Sequence, residues 1–422
     1  MLATTIVASV NQARLRITIV GINYAPEPTG NAPYTSSLAE GLAAAGHEVH
    51  VVTGVPHYPE WKIAEGYEQW TTHETINKVG VTRLRHHVPR RPNALQRLLM
   101  EFSFGARLLF ARWNRPDVVL TVSPALFSSG VAILRARLGL RRPAIALWVQ
   151  DIYGRGVAET GSGSSHLAGA MSYLESGIFR SAHGVVAIHD RFKQHMSTHL
   201  KVLPRNIAVI RNWTHLSQKE AVASTELRER LGWSADDIVL LHAGNMGKKQ
   251  GLENAVETAR LAQTKGSRVR VVLMGDGNQR SRLEELAAGV ERIQFLDPLP
   301  DQEFQLALAS ADVLLVNELA GVKEMAVPSK LTSYFNSGIP VVAATDAGSV
   351  TASEIAASGG GLRVDAGDPQ GLLEVVESLG MDPVAAKTLG RNGLRFRHET
   401  LSEAAALTKY DEFLTHLAVS RS

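Results

Sequence analysis

The stretch HAGNMGKKQGLENA, residues 242–255, joins an apolar run to an amphipathic run. The apolar run, DIVLLHAG, is typical of a buried strand, and the later LENAVETARLA is typical of a helix. Glycines and two adjacent lysines, Lys248 and Lys249, lie between them. Glycines at such a turn let the backbone approach a ligand, and a helix N-terminus favours an anion. The stretch therefore predicts an anion-binding strand–loop–helix unit; a tight turn with two surface lysines is the alternative.

A second helix start follows in VPSKLTSYFNSGIPVVAAT, residues 327–345. The pattern predicts a short helix with Ser329 as its cap, Lys330 in its first turn and Gly338 at its end. Alone, this is a capped helix and nothing more. Together with residues 242–255 it indicates one diphosphate held by two helix starts. Neither stretch contains a Walker motif or the dinucleotide-binding GxGxxG.

Short β-branched runs alternate with helical runs along the whole chain, which indicates parallel sheets built from βαβ units. The strand-like segments are RITIVGI, HEVHVVTG, PDVVLTVS, AIALWVQD, GVVAIH, NIAVIRNW, DIVLLHAG, VRVVLMGDG, IQFLD, DVLLVNE, IPVVAAT and GLRVD. One open sheet of this size would be unusual, so we expect two doubly wound domains. The expected boundaries are 1–210 and 211–395, with a helix over 396–422 that packs back toward the N-terminal domain. Ligands of such sheets bind at the carboxyl ends of the strands, here in a cleft between the domains.

The composition is that of a globular protein with 422 residues, of which 45% are hydrophobic. The absence of cysteine excludes disulfides, thiol nucleophiles and Cys-ligated metals. The first residues, MLATTIVASVNQAR, lack the basic start of a signal peptide, and we expect no transmembrane helix. A cytoplasmic location fits these features.

The net charge of +3 is unevenly distributed, because residues 83–115 contain eight arginines and one acidic residue. Apolar residues recur at helical spacing over 95–113, with Arg97, Arg107 and Arg112 among them. An ordinary helix with a solvated basic face explains this pattern. The alternative is a helix on an anionic membrane surface, which would make the protein peripheral on the inner face of the plasma membrane. No basic–aromatic groove motif indicates nucleic-acid binding.

Several motifs, in this order and spacing, resemble those of the family-4 glycosyltransferases with the GT-B fold. They are RITIVGINYAPEPTGNAPYTSSLAEGLAAAGHEVHVVTGVPHYP, GNMGKKQGLENAVETA, VVLMGDGNQRSRLEELA, FLDPLPDQEFQLALASADVLLV and VPSKLTSYFNSGIPVV. The resemblance spans residues 14–415 and is greatest to the branch that builds colanic acid and other bacterial exopolysaccharides. It implies two Rossmann-like domains that face each other across a cleft.

The resemblance implies a retaining glycosyltransferase that moves a sugar from a nucleotide-sugar to a saccharide or lipid-linked saccharide acceptor. The C-terminal domain would bind the donor and the N-terminal domain the acceptor. It also implies no cofactor and no metal, and the chain contains no Asp-x-Asp motif. Without a metal, positive groups must stabilise the departing nucleoside diphosphate, and one such donor contributes on the order of 3 kcal/mol.

The predicted site combines both domains. Asp151 ends the strand of LWVQDIYGRG and, by resemblance, orients the acceptor hydroxyl or the sugar; a capping role is the alternative. Gly30 and Asn31 follow the first strand and would approach the donor, or form a plain turn. Asp151 and Lys249 are the predicted catalytic residues. The predicted donor and diphosphate contacts are Gly30, Asn31, Gly244, Asn245, Lys248, Lys249, Gly275, Ser329, Lys330 and Leu331.

The chain also departs from the family pattern. Asn245 and Gln250 occupy places where relatives carry an arginine and a lysine, so Lys248 or Lys249 would substitute. Met325 and Ser333 occupy the places of two glutamates, which leaves the ribose contacts open. Glu318 or Glu324 would then compensate, unless each is only a surface charge.

Two other functions remain open on these residues. A nucleotide-sugar epimerase would need a carboxylate pair around the sugar, and the sequence offers no convincing one. A nucleotide-sugar-binding protein without catalysis is suggested by Met325 and Ser333. His57 and His189 lie near predicted strand ends and receive no role. The donor base, the sugar, the acceptor and the linkage do not follow from the sequence.

Overall fold

A computed structural model describes residues 14–28, 30–90, 94–123, 125–139, 141–152, 165–213, 223–321 and 329–421. The chain divides into two α/β units. The first unit comprises Met1–Asn212 and Ala406–Ser422, and the second comprises Trp213–Ala405. The prediction of two doubly wound α/β domains is confirmed.

The first unit is built on an eight-stranded sheet with the order β3-β4-β2-β1-β5-β6-β7-β8. Its strands are β1 Arg16–Val20, β2 Glu48–Gly54, β3 Thr71–Ile76, β4 Val79–Leu84, β5 Val118–Val122, β6 Ala144–Val149, β7 Gly184–Ala187 and β8 Ile207–Val209. Its helices before the inter-unit join are α1 Ala32–Ala44, α2 Ala94–Leu108, α3 Leu126–Leu138, α4 Ser165–Ser181 and α5 Asp190–Thr198. Strands β5 and β6 are buried along their whole length, as expected for parallel strands covered by helices on both faces.

The hairpin of β3 and β4 is the part of this sheet that the sequence did not predict. The two strands pair antiparallel, and every other pair in the sheet is parallel. Strand β3 alternates exposed and half-buried residues, because it forms the edge of the sheet. Its polar sequence, TTHETI, has no apolar run by which it could be recognised.

The second unit has a six-stranded sheet, parallel throughout, with the order β11-β10-β9-β12-β13-β14. Its strands are β9 Ile238–Ala243, β10 Val269–Met274, β11 Ile293–Leu296, β12 Val313–Asn317, β13 Val341–Ala344 and β14 Gly361–Val364. Its helices are α6 Thr225–Arg230, α7 Glu253–Lys265, α8 Arg280–Leu286, α9 Asp301–Ser310, α10 Ser329–Asn336, α11 Val350–Ser358, α12 Pro369–Met381 and α13 Pro383–Thr400.

Alternate residues of β9 enter two separate cores, one on each face of the second sheet. Ile238 and Leu240 belong to one core, whereas Val239, Leu241 and Ala243 belong to the other. Both faces of β9 are therefore buried. This explains why DIVLLHAG is a continuous apolar run and not an alternating one.

The chain returns to the first unit through its last helix, α14 Glu403–Val419. The boundary placed at 395/396 from the sequence falls inside α13, and the return occurs at Ala406. The first-unit part of α14 pairs Asp411 with His47 at 2.9 Å and packs the Tyr410 ring against the Trp148 ring at an angle of 59°. The C-terminal segment is thus a structural part of the first unit.

Helix α2 is shorter than the amphipathic pattern of residues 95–113. It ends at Leu108, and Trp113 lies beyond it, buried beneath the Arg135 guanidinium at 4.2 Å. Arg107 lies over the ring of Trp70 and donates to the Trp70 carbonyl oxygen. Among the described residues, no helix is both long enough and apolar enough to cross a bilayer.

Candidate functional site in the second unit

The candidate site lies where the strand order of the second sheet reverses. The order runs third, second, first, fourth, fifth and sixth along the chain, so the reversal falls between β9 and β12. Ligands of doubly wound sheets bind outside the carboxyl ends of the strands at this point. Here β9 leads into Gly244, and β12 ends at Asn317.

Glycines let the loops after β9 and β10 pack backbone against backbone. Gly244 and Gly275 adopt φ angles of +127° and +136°, a region that side chains disfavour. A Cβ atom on Gly275 would lie 2.1 Å from the Gly244 carbonyl oxygen. A Cβ on Gly277 would lie 2.5 Å from the Met246 carbonyl oxygen. Close packing between the loops therefore explains Gly275 and Gly277.

Hydrogen bonds within the protein occupy several amides of the glycine loop. Gly244 N–H donates to the Met274 carbonyl and Met246 N–H to the Asp276 carbonyl, each at 2.8 Å. Gly247 N–H donates to Gln250 Oε1 at 3.1 Å. These three amides are therefore occupied within the protein, and the diphosphate contacts predicted for this loop stay a prediction.

The two lysines of the loop lie on a 3₁₀ turn, Lys248–Gln250, and α7 begins only at Glu253. The expected direct passage from glycine loop to helix is thus corrected. Lys248 and Lys249 are exposed, and the Lys249 carbonyl accepts a hydrogen bond from the Leu319 amide at 2.9 Å. The catalytic role of Lys249 stays a prediction.

Asn317, at the end of β12, fixes the position of this turn. Its Nδ2 donates to the carbonyl oxygens of Gln250 at 2.7 Å and Gly251 at 2.9 Å. Its Oδ1 accepts from Asn254 Nδ2 at 2.8 Å, which ties the turn to α7. Asn317 is 2% exposed, so these bonds are protected from water. This residue was not predicted from the sequence; its signal is an asparagine that ends an apolar strand.

Lys330 brings the second helix start to the glycine loop. A Cβ atom on Gly244 would lie 2.9 Å from Lys330 Cε and 3.5 Å from Nζ. The predicted approach of the two elements is therefore present at these residues, with Lys330 as the cation beside Gly244. In the part of the chain that the structure describes, no carboxylate pairs with Lys330.

The Lys330 ammonium donates to His242 Nε2 at 2.7 Å. His242 Nδ1 lies 3.2 Å from the Leu315 carbonyl oxygen, so we assign the ring proton to Nδ1 and the lone pair to Nε2. Burial, and then the Lys330 charge, hold the pKa of His242 well below its usual 6.5. Burial lowers the pKa of Lys330 from 10.5 to about 8. The pair therefore carries one positive charge at neutral pH, in a partly desolvated place.

Tyr334 holds α10 in the position that places Lys330. Its hydroxyl accepts from the Ala243 amide at 2.8 Å, at the end of β9. Lys330 lies four residues earlier, one helical turn away on the same side of α10. Tyr334 and His242 were not predicted from the sequence, because a buried tyrosine and a histidine within a strand look like ordinary core residues.

The remaining donor contacts predicted near α10 stay predictions. The Leu331 side chain is fully buried in the core. Ser329 is the first residue of α10, and its side chain lies outside the described residues. Asn245 is exposed after β9, and its donor role stays a prediction.

The proposed substitutes for the missing glutamates are only partly described. Glu318 accepts hydrogen bonds from the hydroxyls of Thr345 and Thr351, which engage both of its carboxylate oxygens. A free surface charge is therefore the wrong description of Glu318. Glu324 and Met325 lie outside the described residues. The ribose contacts remain a prediction.

The predicted residues of the first unit cluster at the carboxyl ends of β1, β5 and β6. Asn31 Nδ2 donates to the Ser123 carbonyl oxygen at 3.2 Å, and Ser123 Oγ donates to the Asp151 carbonyl oxygen at 3.2 Å. Ser123 thus joins the loop of Gly30 and Asn31 to Asp151. The exposed Asp151 carboxylate accepts from the Ile152 amide at 2.8 Å. Its catalytic role is not tested by this contact.

The described residues contain no group of three or more His, Cys, Asp or Glu side chains placed to hold a metal. The metal independence implied by the resemblance stays a prediction.

Known proteins match this chain in both units. Residues 29–213 match the glycosyl transferase 4-like domain, and residues 237–382 match the glycosyl transferases group 1. Over 339 residues the chain is 31% identical to WcaI of Escherichia coli K12, covering 77% of this chain and 82% of that protein. WcaI is named as a glycosyl transferase of colanic acid biosynthesis. The chain belongs to this glycosyltransferase family.

Solved structures show the same fold for this glycosyltransferase. A sucrose-phosphate synthase from Thermosynechococcus elongatus superimposes with a TM-score of 0.66 at 17% identity, over 96% of this chain and all of that one. Anabaena HepE in complex with UDP gives a TM-score of 0.66 at 17% identity, over 94% of this chain and all of that one. The predicted family, GT-B fold and transferase activity are confirmed. These relatives give no support to the epimerase alternative.

Proposed function

We propose that this glycosyltransferase transfers a sugar, with retention, from a nucleoside-diphosphate sugar to a lipid-linked saccharide of exopolysaccharide biosynthesis. One observation carries the donor half of the proposal: the Lys330 ammonium lies beside Gly244 at the reversal of the strand order, with a neutral histidine as its partner. A partly buried cation without a carboxylate is a place for an anion, and the donor diphosphate is that anion.

The chemistry assigns Lys330 to the leaving group. The acceptor oxygen forms a bond to the anomeric carbon while the bond from that carbon to the diphosphate oxygen breaks. The acceptor proton passes to the departing diphosphate, whose negative charge grows in the transition state. A preorganised ammonium stabilises this charge, and loss of one such donor costs about a hundredfold in rate.

The relatives indicate where to begin with the donor. HepE is described in complexes with UDP and with UDP-glucose, and it shares the fold of this chain. We therefore place UDP-sugars first among the donors to be tested, followed by GDP- and dTDP-sugars.

A thermal-shift panel of these nucleotide-sugars tests the donor, because a ligand of the native state raises the melting temperature by mass action. Lys330→Met is expected to reduce the shift of the best donor without abolishing it. Lys265→Met is the matched control, since Lys265 ends α7 on the surface and donates to Gln370. A variant Lys248→Met that loses more binding than Lys330→Met would overturn the assignment to Lys330.

Turnover separates an enzyme from a binding protein without catalysis. Slow hydrolysis of the donor that binds best, removed by Asp151→Ala, would support the transferase. Binding without hydrolysis, and without transfer to a lipid extract of an exopolysaccharide-producing bacterium, would favour the binding protein.

For the acceptor half, we propose that the α2 surface contacts an anionic membrane. Leu95, Leu99 and Phe102 stand at helical spacing on one face of α2 and are exposed, and Phe110 just beyond the helix is 88% exposed. The same stretch is strongly basic. Exposed apolar residues beside arginines match the boundary between anionic headgroups and acyl chains.

Co-sedimentation with vesicles of phosphatidylcholine, with and without phosphatidylglycerol, tests this contact. The chain is expected to sediment with the anionic vesicles and to be released by salt. The double variant Leu95→Asp and Leu99→Asp is expected to stay in solution. Met381→Asp, at an exposed apolar residue of the second unit, serves as control. Equal sedimentation of all three proteins would contradict the proposal.

A further inference from the structure

A pocket of about 270 Å³ opens in the first unit beside the carboxyl end of β1. Its lining includes Asn23, Asn31, His57, Tyr58, Trp61 and Arg97. Small-molecule sites combine apolar or aromatic walls with a few polar groups that fix orientation, and this lining has both. The volume suits one monosaccharide ring better than a whole nucleotide-sugar.

A buried carboxylate, Glu27, holds three lining residues of this pocket in place. Glu27 is 6% exposed, and its Oε1 accepts from the amides of His57 at 2.8 Å and Tyr58 at 2.9 Å. Its Oε2 accepts from Asn23 Nδ2 at 2.8 Å. Three N–H donors satisfy the charge and lock the loop after β1 to the loop after β2. Glu27 is therefore a positioning residue.

The same contacts fix the tautomer of His57. Its Nδ1 lies 2.8 Å from the Val55 carbonyl oxygen and 3.3 Å from Glu27 Oε1, and both partners are acceptors. We assign the proton of the neutral ring to Nδ1, which leaves the Nε2 lone pair as the group that a ligand hydroxyl can reach. His57 is 3% exposed and lies in the pocket wall, so a hydrogen bond there would be protected from water.

Two aromatic rings form a corner on the same pocket. Tyr58 and Trp61 meet nearly perpendicular, with ring centroids 5.7 Å apart. The Arg97 guanidinium lies 5.3 Å from the centroid of the Trp61 ring and restrains that ring. An indole face is a platform for the apolar face of a sugar ring. The side-chain oxygens of Asn23 and Asn31 remain as acceptors, because the Nδ2 of each donates within the protein.

We infer that this pocket binds a neutral sugar ring of the acceptor saccharide, with Trp61 under the ring and His57 Nε2 accepting a hydrogen bond from one hydroxyl. The inference rests on the proposed function, because it names the acceptor group that the first unit takes. It also gives Asn31 a place in an acceptor pocket, although the sequence assigned this residue to the donor.

Binding of soluble p-nitrophenyl glycosides to the full chain, measured by saturation-transfer NMR and titration calorimetry, tests the pocket without knowledge of the natural acceptor. The α- and β-glycosides of glucose, galactose, mannose, fucose and glucuronate form the panel. At least one neutral glycoside is expected to bind. Trp61→Leu and His57→Phe are each expected to weaken it about tenfold, the effect of one aromatic contact or one hydrogen bond.

Matched variants separate recognition from folding. His57→Gln, whose amide oxygen can replace the Nε2 lone pair, is expected to restore binding within about threefold, which a purely structural role would not do. Trp70→Leu is the control for Trp61, because Trp70 also stacks with an arginine but lies outside the pocket. The melting temperature of every variant is measured alongside.

The outcomes distinguish this inference from the proposed function. UDP binding that persists while no neutral glycoside binds, or while Trp61→Leu and Trp70→Leu bind alike, overturns the pocket and leaves the transferase intact. Displacement of the glycoside by saturating UDP also overturns it, since the pocket would then belong to the donor. A wild-type chain that binds no UDP counts against the proposed function instead.

Discussion

Burial of the Lys330 side chain lowers the pKa of its ammonium to about 8, which predicts a pH-dependent donor affinity. A diphosphate attracts the ammonium and not the neutral amine. UDP affinity is therefore expected to be level below pH 8 and to fall above it, approaching tenfold per pH unit. Calorimetry between pH 6.5 and about 9.5 measures this dependence. Lys330→Met is expected to show no such fall, and a level wild-type profile would contradict the assignment.

The same pKa has a separate effect on the stability of the ligand-free protein. The folded chain releases the Lys330 proton near pH 8, whereas the unfolded chain holds it to about 10.5. The unfolded state binds more protons between these values, so this group raises the stability as the pH rises from about 8 to 10.5. Below pH 8 the ammonium is charged in both the folded and the unfolded state, so the full free-energy cost of burying it opposes folding.

Gly275 is required by packing and not only by its backbone angle. Gly275→Ala would place a methyl group 2.1 Å from the Gly244 carbonyl oxygen, so the two loops must separate. We expect a loss of about 2–4 kcal/mol in the free energy of unfolding, from overpacking and φ strain together. Gly289→Ala is the control. Gly289 also has a positive φ, but a Cβ there meets nothing within 4 Å, so only the φ strain of about 1 kcal/mol is expected. Urea unfolding compares the two, and equal losses would contradict this account.

Among the elements, the 3₁₀ turn of Lys248–Gln250 depends on one side chain of β12. Asn317→Ala removes three hydrogen bonds and leaves the Nδ2 of buried Asn254 without its acceptor. We expect a loss of about 2–3 kcal/mol in stability and weaker binding of UDP. Asn392→Ala, which removes one bond to Gly359, is the control. Stability that falls without any change in UDP affinity would separate this turn from the donor site.

The sequence predicted the secondary-structure elements that carry an apolar run. It did not predict element boundaries that a single tertiary contact sets. The twelve apolar runs were all found as strands, and the signal is continuous where both faces are buried, as in VVLTV. Strand β3 carries no such signal. The start of α7 at Glu253 was missed because Asn317, more than sixty residues away in the chain, holds the preceding turn outside the helix.

The sequence predicted an anion site at the helix starts of the second unit, but it did not predict which lysine is buried there. Lys330 was among several lysines, and nothing local distinguishes it from Lys248 or Lys249. Its burial depends on Tyr334 and on Gly244, contacts that exist only after β9 and α10 have come together. The two helix starts and the family resemblance therefore predicted the ligand class, whereas only tertiary packing distinguishes Lys330 from the other lysines.

At the scale of the whole molecule, the last helix joins the sequence-distant ends of the first unit. Leu407 meets Gly41 of α1, Asp411 pairs with His47, and Phe413 and Leu417 cover Gly184 of β7. The boundary between the two units near residue 210 was predicted, because the series of strand-like segments begins again there. The return of the C-terminal helix was also predicted, but from residue 396 and not from Ala406, because α13 and α14 have similar helical patterns and only the packing partners separate them.

Truncation after Ala405 is expected to loosen the first unit selectively, because it removes a helix whose Tyr410 and Leu414 are fully buried there. Losing two large core side chains costs several kcal/mol, a large fraction of the stability of a domain. Hydrogen exchange should therefore accelerate in β6 and β7, while β9, β10 and β12 keep their protection. Truncation after Val419, which leaves all these contacts in place, is the control. Faster exchange across both sheets would instead mean that the two units unfold as one cooperative body.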